Sequence, residues 1–254
     1  MDLEFLGTGN CAGVPVYGCE CEICSEARVN PKLRRLSTCA KIATIEQTIL
    51  IDAGITELGD RFPRSSIDRI ILSHYHIDHV YGLFPMRWGH CEHQLPVHGP
   101  DDKNGCDDLL KHHGILDFSD TLAPFVRRKF ADIEITPLPL NHSKLTLGYA
   151  ISSDNGCRLA WLADTSGLPD HSADFLKEWQ PHVMVIDCSF PPLDCPHPNH
   201  NDIRTAIEIH EKIHPGKTYF THIDHELDQW LKLHGNDLPE TITIARDNLT
   251  IKIG

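Results

Sequence analysis

The chain has 254 residues, of which 36 are Asp or Glu and 23 Lys or Arg, giving a net charge of −13 with His neutral. This balance excludes a broad cationic face for a nucleic-acid backbone. No run of residues approaches the roughly 18 uninterrupted apolar positions of a membrane span, and Asp2 and Glu4 stand where a secretory leader would be basic, so a cytoplasmic protein is expected.

No repeat, linker or low-complexity segment interrupts the chain, so one domain over residues 1–254 is expected. In chain order, apolar or alternating runs predict strands at Leu3–Leu6, Cys39–Ile45, Thr48–Asp52, Arg69–Ser73, Leu95–His98, Ile133–Pro137, Leu147–Ile151, Arg158–Asp164, Val183–Cys188 and Lys217–Phe220. Gly7-Thr8-Gly9 reads as a turn after the first of these. Ile203, Ala206, Ile207 and His210 repeat at helical spacing after Asn201 and Asp202, either of which can cap the first turn. Leu227, Trp230, Leu231 and His234 repeat that spacing, with Gly235 as the stop. Thr241–Ala245 and Leu249–Ile253 flank the turn-forming Arg246-Asp247-Asn248 and predict a terminal hairpin. Strands and helices in alternation predict α/β layers with functional groups at strand ends.

The strongest chemical signal is Ser73-His74-Tyr75-His76-Ile77-Asp78-His79, directly after an apolar strand. Two His two residues apart on extended chain project to the same side. Asp78 and His79 follow where the chain turns and aims a second pair inward. A lone HxH reads as a surface loop; four ligands within six residues can serve two cations of the zinc, manganese or iron kind. His142 and His222 each follow a predicted strand, and Asp164 ends one. Taken singly, each reads as a cap or turn residue, and together they read as further ligands. A second cluster, Cys19, Cys21 and Cys24, brings three thiols close enough to share one ion if the loop turns tightly, and needs a fourth ligand. Ten Cys in a chain this long suit thiolate ligands in a reducing compartment better than a disulfide framework.

An early Asp52, then His74/His76/Asp78/His79, His142, Asp164 and His222, in that order, resemble the metallo-β-lactamase superfamily over essentially the whole chain. The resemblance implies a four-layer αβ/βα sandwich of two mixed sheets flanked by helices. It implies one metal on His74, His76 and His142, another on Asp78, His79 and His222, a bridging Asp164, and Asp52 as support. The N-terminal Cys cluster, with HYHIDHVYGLFPMRW, LPLNHSKLTLGY, WLADTSGLP, VIDCS and the late THIDH, resembles the cyclic phosphodiesterases of the bacterial carbon–phosphorus lyase pathway. This narrower resemblance implies hydrolysis of 5-phosphoribosyl 1,2-cyclic phosphate to ribose 1,5-bisphosphate. It also implies two Mn2+ (or Zn2+) ions in the dinuclear site, a structural Zn2+ in a loop at about 18–25 with His225 as its fourth ligand, and a homodimer. Asp78 and His200 are then the residues expected to take part in catalysis. His200 matches an active-site His of that family, suited to touching phosphate or protonating the leaving alkoxide; a helix-start role remains open, and His197 lies close by. Lys144 is placed either on phosphate or in solvent.

Two rivals share the motifs. A tRNA 3′-processing endonuclease adds a flexible arm and a His-Glu-Ala-Thr element that this sequence lacks, and −13 is a poor balance for binding many phosphates. A non-catalytic cofactor-binding protein of the pyrroloquinoline quinone biosynthesis type shares a similar Cys cluster. The intact seven-residue ligand set argues for hydrolysis instead, with a small-molecule cyclic phosphodiester as the substrate that the narrower resemblance implies.

Overall fold

The computed structural model describes residues 1–254. Its strands are β1 (Asp2–Gly7), β2 (Cys39–Ala43), β3 (Thr48–Ile51), β4 (Arg69–Ile71), β5 (Leu95–His98), β6 (Leu116–Asp117), β7 (Arg128–Phe130), β8 (Ile133–Pro139), β9 (Leu147–Ser153), β10 (Arg158–Leu162), β11 (Val183–Asp187), β12 (Lys217–Thr221), β13 (Ile242–Ile244) and β14 (Thr250–Lys252). Helices are α1 (Glu22–Val29), α2 (Leu58–Arg61), α3 (Ile77–Val80), α4 (Leu83–Met86), α5 (Asp107–Lys111), α6 (Asp170–Trp179), α7 (Ile203–Ile213) and α8 (His225–His234).

Two seven-stranded sheets form, ordered β14-β1-β2-β3-β4-β5-β6 and β13-β12-β11-β10-β9-β8-β7. Each is antiparallel in one half and parallel in the other: β3 to β6 run parallel in the first, β10 to β13 in the second. Strands buried on both faces need apolar residues at consecutive positions, and the central strands supply them. Ile49 and Ile51 of β3, with Leu159 and Trp161 of β10, point into the core between the sheets. Leu50 points the other way, toward Leu58, Val80 and Leu83 of the α2–α4 layer. Ala160 and Leu162 face Leu176 of α6 and Ile209 of α7. The result is the helix–sheet–sheet–helix sandwich that the motifs implied.

The parallel halves matter most for function, because open sheets gather ligands in the crevice beyond the carboxyl ends of their strands. The chain leaves β3, β4, β10, β11 and β12 into one cleft between the sheets, and antiparallel β8 adds the segment that carries His142. Asp202 caps α7 through its side chain, 2.9 Å from the Thr205 N–H. Asn201 instead donates to the Asp187 carbonyl and accepts from the Gly167 N–H.

Two local expectations fail. The terminal hairpin does not form: β13 pairs with β12 in the second sheet and β14 with β1 in the first. Residues 245–249 cross between the sheets instead, because their polar groups find better partners elsewhere. Ala245 donates to the Phe220 carbonyl, Leu249 accepts from the Phe5 N–H, and Asp247 accepts from Thr8 Oγ1 and the Leu36 N–H. Buried Arg35 ties the crossing down, donating to the Ala245 carbonyl at 2.7 Å and to both carboxylate oxygens of Asp228. Gly7-Thr8-Gly9 likewise is not a turn. It continues extended beneath the 35–37 segment, so close that a Cβ on Gly7 would lie 1.9 Å from the Ser37 carbonyl oxygen. No helix is long and apolar enough to cross a membrane.

Candidate metal centre

His74, His76, His142, Asp164 and His222 follow strand ends, Asp78 and His79 sit on α3, and the sandwich brings all seven together. His74 Nε2 and His142 Nε2 each lie 2.9 Å from His76 Nδ1. Burial, with neighbouring imidazoles opposing a second positive charge, pushes all three His below their ordinary range. In neutral rings each of the three facing nitrogens can present a lone pair in place of a proton, so all three can direct lone pairs into one shared space. That arrangement fits a cation and is unfavourable without one.

The second group is Asp78, His79, Asp164 and His222, all buried, with ligand atoms within 4.8 Å of one another. Asp78 Oδ2 lies 3.5 Å from the Nε2 atoms of both His79 and His222. Asp164 Oδ2 is 3.2 Å from His79 Nε2 and 3.3 Å from His222 Nε2, yet also 3.9 Å from both His74 Nε2 and His142 Nε2. It therefore sits between the two groups, where a carboxylate can serve both. His79 Nε2 and Asp164 Oδ1 are buried without a hydrogen-bond partner. Such orphans are rare in folded proteins and fit a site that holds a cation.

The outer nitrogen of nearly every ring is anchored, which turns the inner one to the centre. Asp52 Oδ2 holds His79 Nδ1 at 2.8 Å, while its Oδ1 accepts from Ser73 N–H at 2.7 Å. Ser73 Oγ lies 3.0 Å from His74 Nδ1, Ser189 Oγ 2.9 Å from His222 Nδ1, and the Asn199 carbonyl 3.0 Å from His142 Nδ1. Asp52 and His222 adopt left-handed backbone, φ +57° and +63°, the kind of local strain that accumulates where side chains must be aimed.

Charge distinguishes the two groups. Burial works against charge on His222, but Asp164, Asp78 and Asp187 outweigh it and raise His222 to about 9. His79 is likewise raised, by Asp164, Asp52 and Asp78 against burial. Burial favours protonated Asp78, yet His79 and His222 hold it down to about 2. At neutral pH these carboxylates favour protonated imidazoles at His79 and His222, and a cation bound there must displace those protons. Calorimetry at pH 7 in buffers of different ionisation enthalpy should show about two protons released as metal fills the centre. Affinity should climb as pH rises through about 9, where His222 gives up its proton; binding without proton release would refute this.

The Cys cluster also converges. Cys21 Sγ and Cys19 Sγ lie 3.4 and 3.7 Å from His225 Nδ1, and the four ligand atoms of Cys19, Cys21, Cys24 and His225 fall within 4.8 Å of one another. Cys21 caps α1, and His225 opens α8 three residues after His222. One short segment therefore reaches both clusters. All ten cysteines are free thiols.

His200 lies at the edge of the centre, its ring stacked on His222 at 4.7 Å and 5.2 Å from that of His142. His197 is one ring further out, between His200 and Phe190. Lys144 donates to the Gly105 carbonyl at 3.1 Å. Sequence reasoning quoted Ser73, Asp187 and Ser189 within motifs but gave them no role. Asp187 ends an apolar strand just as Asp164 follows one, a signal that was present; the serines carry none of their own.

The family described as a beta-lactamase superfamily domain matches residues 47–223. An octanoyltransferase of Porphyromonas gingivalis is 26% identical over 247 residues, 89% of this chain; the chain spans only 46% of that protein's length. The probable metallo-hydrolase YhfI of Bacillus subtilis is 26% identical over 81% of this chain and 85% of its own. The crystal structure of a new diphosphatase from the PhnP family superposes with a TM-score of 0.80 at 26% identity, covering 98% of this chain and 96% of that one. With the match running from the first site aspartate to the last site histidine, the chain belongs to the metallo-β-lactamase superfamily.

Proposed function

We propose that the chain is a phosphodiesterase that opens 5-phosphoribosyl 1,2-cyclic phosphate to ribose 1,5-bisphosphate in phosphonate breakdown. Manganese or zinc would be held by His74, His76 and His142 and by Asp78, His79 and His222, with Asp164 shared. A structural zinc would be held by Cys19, Cys21, Cys24 and His225. The observation that carries this reading is one buried carboxylate joining two cation-ready groups, with His200, an imidazole that belongs to neither trio, at their edge. The likeness to a PhnP-family diphosphatase supports phosphorus as the atom attacked.

When bound, a pair of divalent ions supplies concentrated positive charge that draws phosphate oxygens in and makes water a better nucleophile at neutral pH. The chain's residues do the rest. Asp52, Ser73 and Ser189 aim imidazoles, Asp78 and Asp164 set the local charge, and His200 faces the departing oxygen. A small substrate, a homodimer and the cytoplasm as its setting belong to the same proposal; the net charge of −13 supports a small substrate over a nucleic acid.

The same relative favours a second reading, hydrolysis of a phosphoanhydride. The test is a manganese-supplemented panel: the ribose cyclic phosphate, bis-p-nitrophenyl phosphate, a nucleoside diphosphate, an octanoyl thioester and a tRNA precursor. The cyclic ester should exceed every other member by at least about 100-fold in kcat/KM, the discrimination that paired polar contacts readily supply. Preference for the diphosphate would establish the second reading; cleavage of the thioester or tRNA alone would overturn both.

A further inference from the structure

We propose that His197 is a specificity-determining residue: its Nε2–H binds a second phosphate, on the part of the substrate that reaches beyond the metal centre, and so selects a cyclic phosphodiester whose sugar is itself phosphorylated. The cyclic diester rests on the phosphodiesterase reading; the placement of His197 does not.

A row of rings runs outward from the centre. His200 stacks on His222 at 4.7 Å and His197 on His200 at 5.3 Å, each pair 19° from parallel, and Phe190 ends the row 4.8 Å from His197. His222 belongs to the metal centre, whereas His197 joins none of the groups that could hold an ion. A phosphate drawn to the ions therefore lies at the inner end of the row. Whatever the rest of the substrate carries along the row meets His197, two rings out.

The loop that presents His197 is stiff. Residues 188–202 connect β11 to α7 and include Pro191, Pro192, Pro196 and Pro198. Pro196 and Pro198 flank His197, and a following proline keeps a residue out of the helical region. Leu193 donates its N–H to Asp202 Oδ2 at 2.9 Å, and the Phe190 carbonyl accepts from the Ile203 N–H at 3.0 Å, which closes the loop at its base. The His197 carbonyl itself accepts from Ser166 Oγ at 2.7 Å, tying it to the segment just past Asp164. A group fixed in this way loses little freedom when a ligand arrives.

The ring offers a donor in either charge state. Its Nδ1 accepts from the Asn199 N–H at 3.3 Å, so the neutral ring carries its proton on Nε2, and a protonated ring carries one there too. Nε2 has no hydrogen-bond partner within the chain, and it is not sealed from solvent, since His197 is only half-buried and this atom is not among the buried orphans. An accessible N–H with no partner, held beside an anion-binding centre, suits an anionic acceptor. A purely structural role, as a spacer between His200 and Phe190, would need the ring and not its nitrogen.

That difference sets the test, made on manganese-loaded enzyme. His197→Phe keeps an aromatic ring in the row and removes the donor. It should lower kcat/KM on 5-phosphoribosyl 1,2-cyclic phosphate by about 10- to 100-fold, chiefly through KM, as expected for a lost hydrogen bond to a charged group. On ribose 1,2-cyclic phosphate, which lacks the second phosphate, the change should stay below about threefold. His197→Gln, which restores an N–H, should recover part of the loss on the phosphorylated ester alone. Metal stoichiometry should hold in both variants. In nitrogen-15 spectra of the zinc-loaded wild type, the His197 Nε2 signal should shift on adding ribose 1,5-bisphosphate and stay in place with ribose 1-phosphate. Equal losses on the two esters, no loss in His197→Phe, or an Nε2 signal indifferent to the bisphosphate would each overturn the inference. If the wild type opens neither ester, the phosphodiesterase reading fails and this inference falls with it. If it opens both and His197→Phe leaves their ratio unmoved, that reading stands and this inference alone is wrong.

Discussion

Asp164→Ala is expected to lower kcat/KM on the preferred substrate by at least about 1,000-fold, corresponding to some 4 kcal/mol of transition-state stabilisation. This carboxylate alone approaches both groups of imidazoles, so its removal weakens both cation positions together. His76→Ala should cost a similar factor through one position, since His76 Nδ1 is the atom on which His74 and His142 converge. His76 is only half-buried and precedes α3 without a side-chain capping bond, so the alanine variant should keep its fold. Metal content by elemental analysis, circular dichroism and turnover check the pair together. A folded variant with full activity would refute the dinuclear assignment.

Cys21→Ser is expected to remove one equivalent of zinc and to cost about 3 kcal/mol of stability, a fall in Tm of about 6–12 °C for a chain of this length. The choice of serine isolates the metal. Cys21 also caps α1 by accepting from the Cys24 N–H at 3.4 Å, and serine is itself a preferred N-cap. The cap therefore survives while the thiolate is lost. His225→Ala should give the same loss from the other side. Because His222 and His225 belong to one short segment, both variants should also weaken metal binding at the catalytic centre. Unchanged zinc content and Tm in both would show that the four side chains merely neighbour one another.

The central strands were legible because a strand covered on both faces leaves a dense apolar run, as at Val183–Ile186 and Arg158–Leu162. The metal cluster was legible because four of its members crowd into His74–His79, where the chain alone brings them near each other. His142, Asp164 and His222 were found by position relative to strands and by order along the chain. α6 was not read, although its buried Ser172, Ala173 and Leu176 form one stripe, because small and polar residues dilute the apolar period.

What local pattern determines, then, is which segments extend or coil and which side chains carry metal chemistry. Tertiary structure alone decided that the last two strands part to opposite sheets, since both can pair and the choice depends on acceptors at Phe5 and Phe220, far away in sequence. It also decided that His200, rather than His197, meets a carboxylate, for Asp187 reaches it only when β11 and the start of α7 are packed side by side. A hydrogen bond is satisfied over less than 3 Å, and no spacing along the chain encodes which distant atoms will come that close.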